Sequence, residues 1–146
     1  VQDYVETGEV YFVYRSMGNF MSDNIGRGKT ESRDSAEAAY CAGDQGQYWE
    51  YKNILFANWE GGDVGSFTEK RLMAFADILE LDMDQFKECY ESQKYRVLAQ
   101  QDLTDGFSDG VDSTPSFLIN GKLVVGAQPY AVFQQEIQAA LAASEN

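Results

Sequence analysis

The apolar positions of the chain follow two different periods. The segment 9–15 (Glu-Val-Tyr-Phe-Val-Tyr-Arg) is apolar at every position from Val10 to Tyr14. Such a run of β-branched and aromatic residues predicts a strand that is covered on both faces. Residues 16–30 are interrupted by Gly and Ser and predict a loop. From about residue 31 to residue 109 the apolar positions recur at helical spacing, which predicts a block of successive helices.

Local start signals divide this helical block. Ser66-Phe67-Thr68-Glu69 has the form of a capping box, and Asp82-Met83-Asp84-Gln85 is a looser version of the same signal, so each predicts that a helix opens there. We place the other three helices at about 32–42, 47–58 and 93–107.

A pattern of apolar residues typical of strands returns near the end of the chain. The apolar runs 116–119 and 122–125 flank Asn120-Gly121, which predicts a β-hairpin with a two-residue type I′ turn. Pro129 suits the first turn of a final helix. The predicted order is therefore strand, helical block, hairpin and helix.

The first residues predict the end of a helix. Residues 1–5 have the character of last helical turns, with Gly8 as the terminating residue, and no signal-peptide pattern is present. A chain that opens inside a helix is expected to be a fragment of a longer protein.

Composition excludes several classes of function. The chain has 11 basic and 24 acidic residues, and this charge of −13 argues against nucleic acid or an anionic membrane surface as the main partner. It has no His, so a Ser-His-Asp triad, a Cys-His pair and a His-ligated zinc site are excluded within the chain. Two Cys cannot build an all-cysteine metal site. No run is long enough to form a transmembrane helix.

The order of elements and several segments resemble the DsbA-like thioredoxin domains. The resemblance lies in Gly8–Arg15, Ser35–Ala42, Gln45–Tyr51, Gly110–Gly121 and Gly126–Pro129, and it extends over essentially the whole chain in order. It implies one α/β domain of thioredoxin-like fold over residues 1–146. Within it, residues 31–109 would be a helical insertion, and residues 110–146 would carry a cis-proline loop, a hairpin and the C-terminal helix.

The resemblance also implies parts that the chain lacks. Family members carry a Cys-x-x-Cys at the start of the helix that leads into the strand near Glu9. Their first core strand lies between the strands at Val10–Tyr14 and 116–120. We therefore expect this strand and the redox-active Cys-x-x-Cys to lie upstream of Val1, and the two remaining parts of the sheet to have unpaired edges.

By this resemblance the parent protein is a thiol–disulfide oxidoreductase. It would exchange disulfides with protein substrates, be exported or membrane-tethered, use no cofactor or metal, and have a membrane redox partner and no nucleic-acid partner. The fragment alone would be inactive. Three alternatives stay open: a non-redox thioredoxin-like module that binds peptides, a glutathione-using relative, and one segment of a larger membrane protein.

The resemblance assigns substrate binding to the loop at Ser113, Thr114 and Pro115. It implies a cis Thr114–Pro115 bond beside the missing cysteines, and it leaves the backbone of Thr114 free to pair with an extended peptide. Neither Cys41 nor Cys89 can be the nucleophile of the family, because each lies inside a predicted helix and their spacing is wrong. A structural disulfide between them is the reading we favour, and two buried thiols or a catalytic role are the alternatives.

Two groups of aromatic residues are weaker candidates for contact with substrate. Those of the insert are more typical of a core than of a groove, because they recur at helical spacing; they are Tyr48, Trp49, Tyr51, Phe56 and Trp59. The loop Met17–Met21, with Phe20, is a candidate for a peptide-contacting rim.

Overall fold

The structure is a computed structural model that describes residues 2–18, 20 and 30–144. The chain divides into two compact units. One consists of Ser16–Thr104, and the other combines Val1–Arg15 with Asp105–Asn146.

The first unit is helical. Its helices are α2 (Glu31–Gly43), α3 (Tyr48–Ala57), α4 (Glu69–Ile78), α5 (Met83–Glu91) and α6 (Arg96–Ser108), the last of which continues into the second unit. The apolar faces of α2, α3, α4 and α5 meet in one core whose largest fully buried apolar side chains are Tyr51, Leu72 and Phe86. The Tyr51 hydroxyl donates to the Leu72 carbonyl oxygen at 2.8 Å, so the polar end of this buried ring is satisfied.

The two predicted capping signals have different outcomes. Asp82 caps α5, because its carboxylate accepts hydrogen bonds from the N–H groups of Asp84 and Gln85, each at 3.0 Å. The prediction that Ser66 opens α4 is wrong: the helix begins at Glu69, and the Ser66 hydroxyl accepts from Glu60 N–H at 3.1 Å. Tertiary contacts in the preceding loop therefore use the hydroxyl that the pattern assigned to a cap.

The second unit contains the short helix α1 (Gln2–Glu6), the strands β1 (Ser116–Ile119) and β2 (Lys122–Val125), and the helix α7 (Tyr130–Ser144). The strands pair antiparallel with Phe117 opposite Val124. Both turn residues, Asn120 and Gly121, have positive φ angles (46° and 85°), which confirms the predicted type I′ turn. The hairpin packs on α7, where the Phe117 and Phe133 ring centroids are 4.7 Å apart.

The predicted strand at Val10–Tyr14 is not a strand in the structure, and it is not covered. No strand pairs with it in the part of the chain that the structure describes, and Val10 N–H donates instead to the Tyr4 carbonyl oxygen at 3.0 Å. Tyr11 is 92% exposed, and Phe12 and Val13 are also exposed. The physical reason is that a strand requires a neighbour to receive its hydrogen bonds, which side-chain pattern alone does not supply. Val10 and Tyr14, at the two ends of the segment, are half-buried, and burial raises the pKa of the Tyr14 hydroxyl.

Candidate functional site

The loop that leads into β1 is held by three hydrogen bonds. The Ser116 hydroxyl donates to the Ser113 carbonyl oxygen at 2.7 Å, and the Ser113 hydroxyl donates to Asp112 Oδ1 at 3.1 Å. The Gly126 N–H donates to the Pro115 carbonyl oxygen at 2.8 Å. These contacts tie the loop to itself and to the chain that follows β2, so both sides of Thr114 are anchored.

Thr114 itself is exposed, and its main chain has no hydrogen-bond partner among the residues that the structure describes. The Thr114–Pro115 peptide bond is cis, as the resemblance implies. Pro115 is exposed and Ser113 is half-buried. The three residues assigned to substrate binding thus lie together in one loop, at the surface, with one free N–H and one free C=O between two fixed neighbours.

The strand β1 that follows has one paired edge. In a hairpin with a two-residue turn, Ile119 is hydrogen-bonded to the opposite strand. Hydrogen-bonded and non-hydrogen-bonded positions then alternate along β1, so Phe117 is also hydrogen-bonded to β2, and the Pro115 carbonyl oxygen accepts from Gly126 N–H. The main-chain groups of Ser116 and Leu118 therefore point away from β2. Within the described residues the sheet has two strands, so this edge of β1 is open, and the Leu118 side chain is 44% exposed.

The charged residues of the segment that leads to this loop are acidic. Asp109 and Asp112 are exposed on the segment that precedes Thr114. The basic side chains of the second unit are Arg15 and Lys122, and each is already in an ion pair, with Asp105 at 3.0 Å and with Glu136 at 2.6 Å respectively. An anionic ligand would find no uncommitted cation in the described part of this unit.

The two cysteines form a disulfide between α2 and α5, which confirms the pairing that the resemblance implied. Cys41 and Cys89 are 1% and 6% exposed. An attacking thiolate must reach a sulfur atom for exchange to occur. Burial in the helical core therefore suits a structural crosslink and opposes a catalytic role.

The aromatic residues of α3 and the segment just after it divide into two sets. Tyr51 is in the core, and Tyr48 packs against the Tyr40 ring with centroids 5.5 Å apart. The other three are exposed on α3 and just after it; they are Trp49, Phe56 and Trp59. The Lys52 ammonium lies over the Trp49 and Phe56 rings, 5.3 and 5.1 Å from their centroids.

The rim predicted at Met17–Met21 is only partly within the described residues. Phe20 is half-buried and its N–H donates to the Met17 carbonyl oxygen at 2.9 Å, whereas Met21 lies outside the described residues. The contact of this loop with peptide stays a prediction.

Other site types are not seen in the residues that the structure describes. These residues contain no group of three or more Cys, Asp or Glu placed to hold a metal ion. No described helix has the length and apolar character needed to cross a membrane. A groove of about 370 Å³ lies between the hairpin tip and α7, and it is lined by Ile119, Asn120, Lys122, Glu136, Ala139, Ala140, Ala143 and Ser144. Thr114 is not part of it.

Sequence reasoning missed the residues that support the loop. Ser116 and Gly126 anchor it through a hydroxyl and a backbone N–H, a role that the resemblance did not assign to either residue. The available signal was a Ser directly after the Thr-Pro pair, three residues after the carbonyl to which it bonds.

The chain is similar to thioredoxins over most of its length. The thioredoxin family model matches residues 1–139. The chain belongs to the thioredoxin family. Its helices and small sheet are compatible with the α/β fold of that family.

Two curated relatives are membrane-transport proteins by name. The chain is 34% identical over 88 residues to Na(+)/H(+) antiporter NhaA 1 of Salinispora arenicola. It is 31% identical over 88 residues to Na(+)/H(+) antiporter NhaA 3 of Salinispora tropica. Each match covers 60% of this chain and 13% of the relative, so the chain spans a small part of either protein. No solved structure matches the chain.

Proposed function

We propose that the chain is the substrate-binding part of a DsbA-like thiol–disulfide oxidoreductase whose Cys-x-x-Cys lies upstream of Val1. The observation that carries the proposal is Thr114, an exposed residue with free main-chain groups at the entrance to a strand, in a chain of the thioredoxin family. An extended peptide could add a backbone pair at Thr114 in the manner of β-strand addition. Its side chains would then lie beside the upstream cysteines.

The open edges of the second unit support an upstream strand. The main-chain groups of Ser116 and Leu118 have no strand beside them in the described residues, and Tyr11 and Val13 are exposed although they are apolar. One additional strand between these segments would pair both edges and cover both sets of side chains. That strand would also bring the start of the following helix, where the family carries its cysteines, close to Thr114.

The chemistry is thiol–disulfide exchange. In the oxidising direction a substrate thiolate attacks the upstream disulfide, which forms a mixed disulfide and releases one active-site thiolate. A second substrate thiolate then attacks the substrate sulfur of that bond, which releases the oxidised substrate and leaves the active-site pair as dithiol. The residues of this chain hold the substrate backbone during both attacks, and the sulfur atoms belong to the upstream segment.

The charges favour a protein substrate over glutathione. Glutathione carries two carboxylates, and the described part of the second unit offers only cations that are already paired. Asp109 and Asp112 near the loop would repel an anionic tripeptide. A polypeptide substrate needs only the main-chain groups at Thr114.

We also propose that the domain works outside the cytoplasm, tethered to a membrane or part of a membrane protein. The Cys41–Cys89 disulfide supports an oxidising compartment. The similarity to two Na(+)/H(+) antiporters supports a fusion to a membrane protein, because an antiporter exchanges ions across a membrane.

The proposal is tested on the protein extended upstream of Val1. We expect this protein to reoxidise a reduced, unfolded substrate, and we expect the activity to vanish when the first upstream Cys is replaced by Ser. The matched control is the double variant Cys41→Ser/Cys89→Ser, which should keep exchange activity at temperatures where it is folded. An upstream segment without a cysteine pair, or activity that survives its loss, would contradict the proposal.

The non-redox binding module is the second candidate, and the same free groups at Thr114 favour it. Both functions predict that an extended peptide binds at the loop. They differ in the upstream residues, because only the oxidoreductase forms a mixed disulfide with a cysteine-containing peptide. Trapping that adduct, and identifying it by mass spectrometry, separates the two.

A further inference from the structure

We infer that Ser116 is a positioning residue for peptide binding at Thr114. The inference rests on the proposed function and adds to it the group that orders the binding backbone. Ser116 is the first residue of β1, and its hydroxyl turns back along the chain to donate to the Ser113 carbonyl oxygen at 2.7 Å. This bond spans Thr114 and Pro115 and closes the loop from one side of Thr114 to the other.

Two other contacts show why this bond matters. The Pro115 carbonyl oxygen is held by the Gly126 N–H at 2.8 Å, and the Ser113 hydroxyl is held by Asp112 at 3.1 Å. The first contact acts only on the residue after Thr114, and the second acts only on the residue before it. The Ser116 hydroxyl joins the two sides, so it limits how far the Thr114 N–H and C=O can rotate.

The energetic consequence follows from preorganisation. A peptide that pairs with a fixed backbone loses less entropy than one that must first order the loop. Thr114 is exposed and has no partner of its own among the described residues, so its orientation depends on its neighbours. Removal of the Ser116 hydroxyl should therefore weaken peptide binding without removing any group that touches the peptide.

The chain offers a matched control. The Ser144 hydroxyl donates to the Leu141 carbonyl oxygen, also three residues earlier and also at 2.7 Å, near the end of α7. Ser116→Ala and Ser144→Ala delete the same chemical interaction in the same unit. Only the first deletion touches the loop at Thr114.

The experiment measures the affinity of the 146-residue chain for a labelled, unstructured peptide that contains neither Cys nor Pro. We expect Ser116→Ala to raise the Kd about fivefold, which corresponds to the loss of one neutral hydrogen bond. Ser144→Ala should bind as the parent chain does. Ser116→Thr keeps the hydroxyl and should restore the affinity. Equal affinities for Ser116→Ala and Ser144→Ala would overturn the inference.

A second measurement keeps the inference separate from the proposed function. If the parent chain binds no peptide, the proposal of peptide binding by this chain is refuted. NMR relaxation can then still test whether Ser116 positions Thr114. We expect the order parameter of the Thr114 amide to fall in Ser116→Ala and to be unchanged in Ser144→Ala and Ser116→Thr. An unchanged Thr114 amide in Ser116→Ala would refute the positioning role whatever the peptide result.

Discussion

The two units of the chain bury their apolar side chains to very different extents. The helical unit packs Tyr51, Leu72 and Phe86 into one core and crosslinks it with a disulfide. The second unit buries few apolar side chains; they are Val111, Val124 and Ile137. A helix satisfies its own backbone, so a bundle needs only apolar faces to be complete, whereas a strand edge stays open until another strand reaches it. The helical unit is thus the self-sufficient part, and the second unit carries the open edges and the free loop.

The largest expected effect is on the helical core. Phe86 is 0% exposed, and the centroid of its ring lies 5.7 Å from the centroid of the Tyr51 ring. We expect Phe86→Ala to lower the free energy of unfolding by about 3–5 kcal/mol, because it removes a buried ring and leaves a cavity. Tyr11→Ala, in the second unit, should change it by less than about 0.5 kcal/mol. Urea unfolding followed by circular dichroism compares them, and similar losses would break the contrast between the units.

The disulfide comes next. Replacing both Cys41 and Cys89 by Ala should lower the free energy of unfolding by about 2–4 kcal/mol, because the crosslink restricts the unfolded chain over a sequence separation of 48 residues. Unfolding in the presence and absence of a reductant provides the check. The reductant should destabilise the parent chain and leave the double variant unchanged. A parent chain insensitive to complete reduction would show that the crosslink contributes nothing.

Loss of an ion pair should also destabilise the helical unit more than the second unit, although by less than the loss of Phe86 or of the disulfide. In the helical unit Arg96 Nε lies 2.6 Å from Oε1 of Glu37, whose side chain is 2% exposed. We expect Arg96→Met to cost about 1.5–3 kcal/mol, because the buried carboxylate then keeps only its contact with Arg33 at 3.4 Å. Lys122→Met breaks the pair with Glu136 in the second unit, where the lysine is 64% exposed, and should cost less than about 1 kcal/mol. Thermal unfolding of both variants compares the two losses of stability. A larger loss for Lys122→Met than for Arg96→Met would contradict this prediction.

The smallest expected effect is a pH dependence in the helical unit. Hydrogen bonds from Lys94 Nζ at 2.7 Å, and then from the Tyr95 hydroxyl at 2.5 Å, lower the pKa of Asp44 below its ordinary value of 3.8. A carboxylate with a lowered folded pKa adds stability above its unfolded pKa. That stability is lost as the pH falls from about 3.8 through the lowered value.

Asp44→Asn removes this titration. Its free energy of unfolding should be lower than that of the parent chain at neutral pH and should approach the parent value at acid pH. The difference should be small because the pair is near the surface. Unfolding curves at several pH values measure the difference. A difference that is constant with pH would contradict the role of Asp44.

Much of the helical unit could be predicted from the chain itself. Its helices follow the 3.6-residue period of the apolar positions, and Asp82 caps α5 through neighbours two and three residues away. Such local rules depend only on nearby residues. The capping box at Ser66 failed because the Ser66 hydroxyl accepts from Glu60 N–H in the preceding loop, while Glu31 of α2 accepts the N–H of Phe67 at 3.0 Å. No local pattern contains a partner 36 residues away.

The candidate site was predicted in position but not in its supports. The resemblance placed Ser113, Thr114 and Pro115 in one loop, and the structure has them there. The anchoring of Thr114 by Ser116 depends on the angle at which a hydroxyl turns back over the chain. A hydrogen bond requires both distance and direction, and neither is contained in residue order.

The sequence by itself determined the elements that close on their own neighbours: the helices of the insert, the type I′ turn at Asn120-Gly121 and the order of these elements. Tertiary structure alone decided the state of Val10–Tyr14, the burial of the disulfide and the anchoring of the Thr114 loop by Ser116. The physical reason is the range of the partners. Local hydrogen bonds join residues a few positions apart, whereas a strand edge, a buried charge or a binding loop takes its character from groups that only folding brings near.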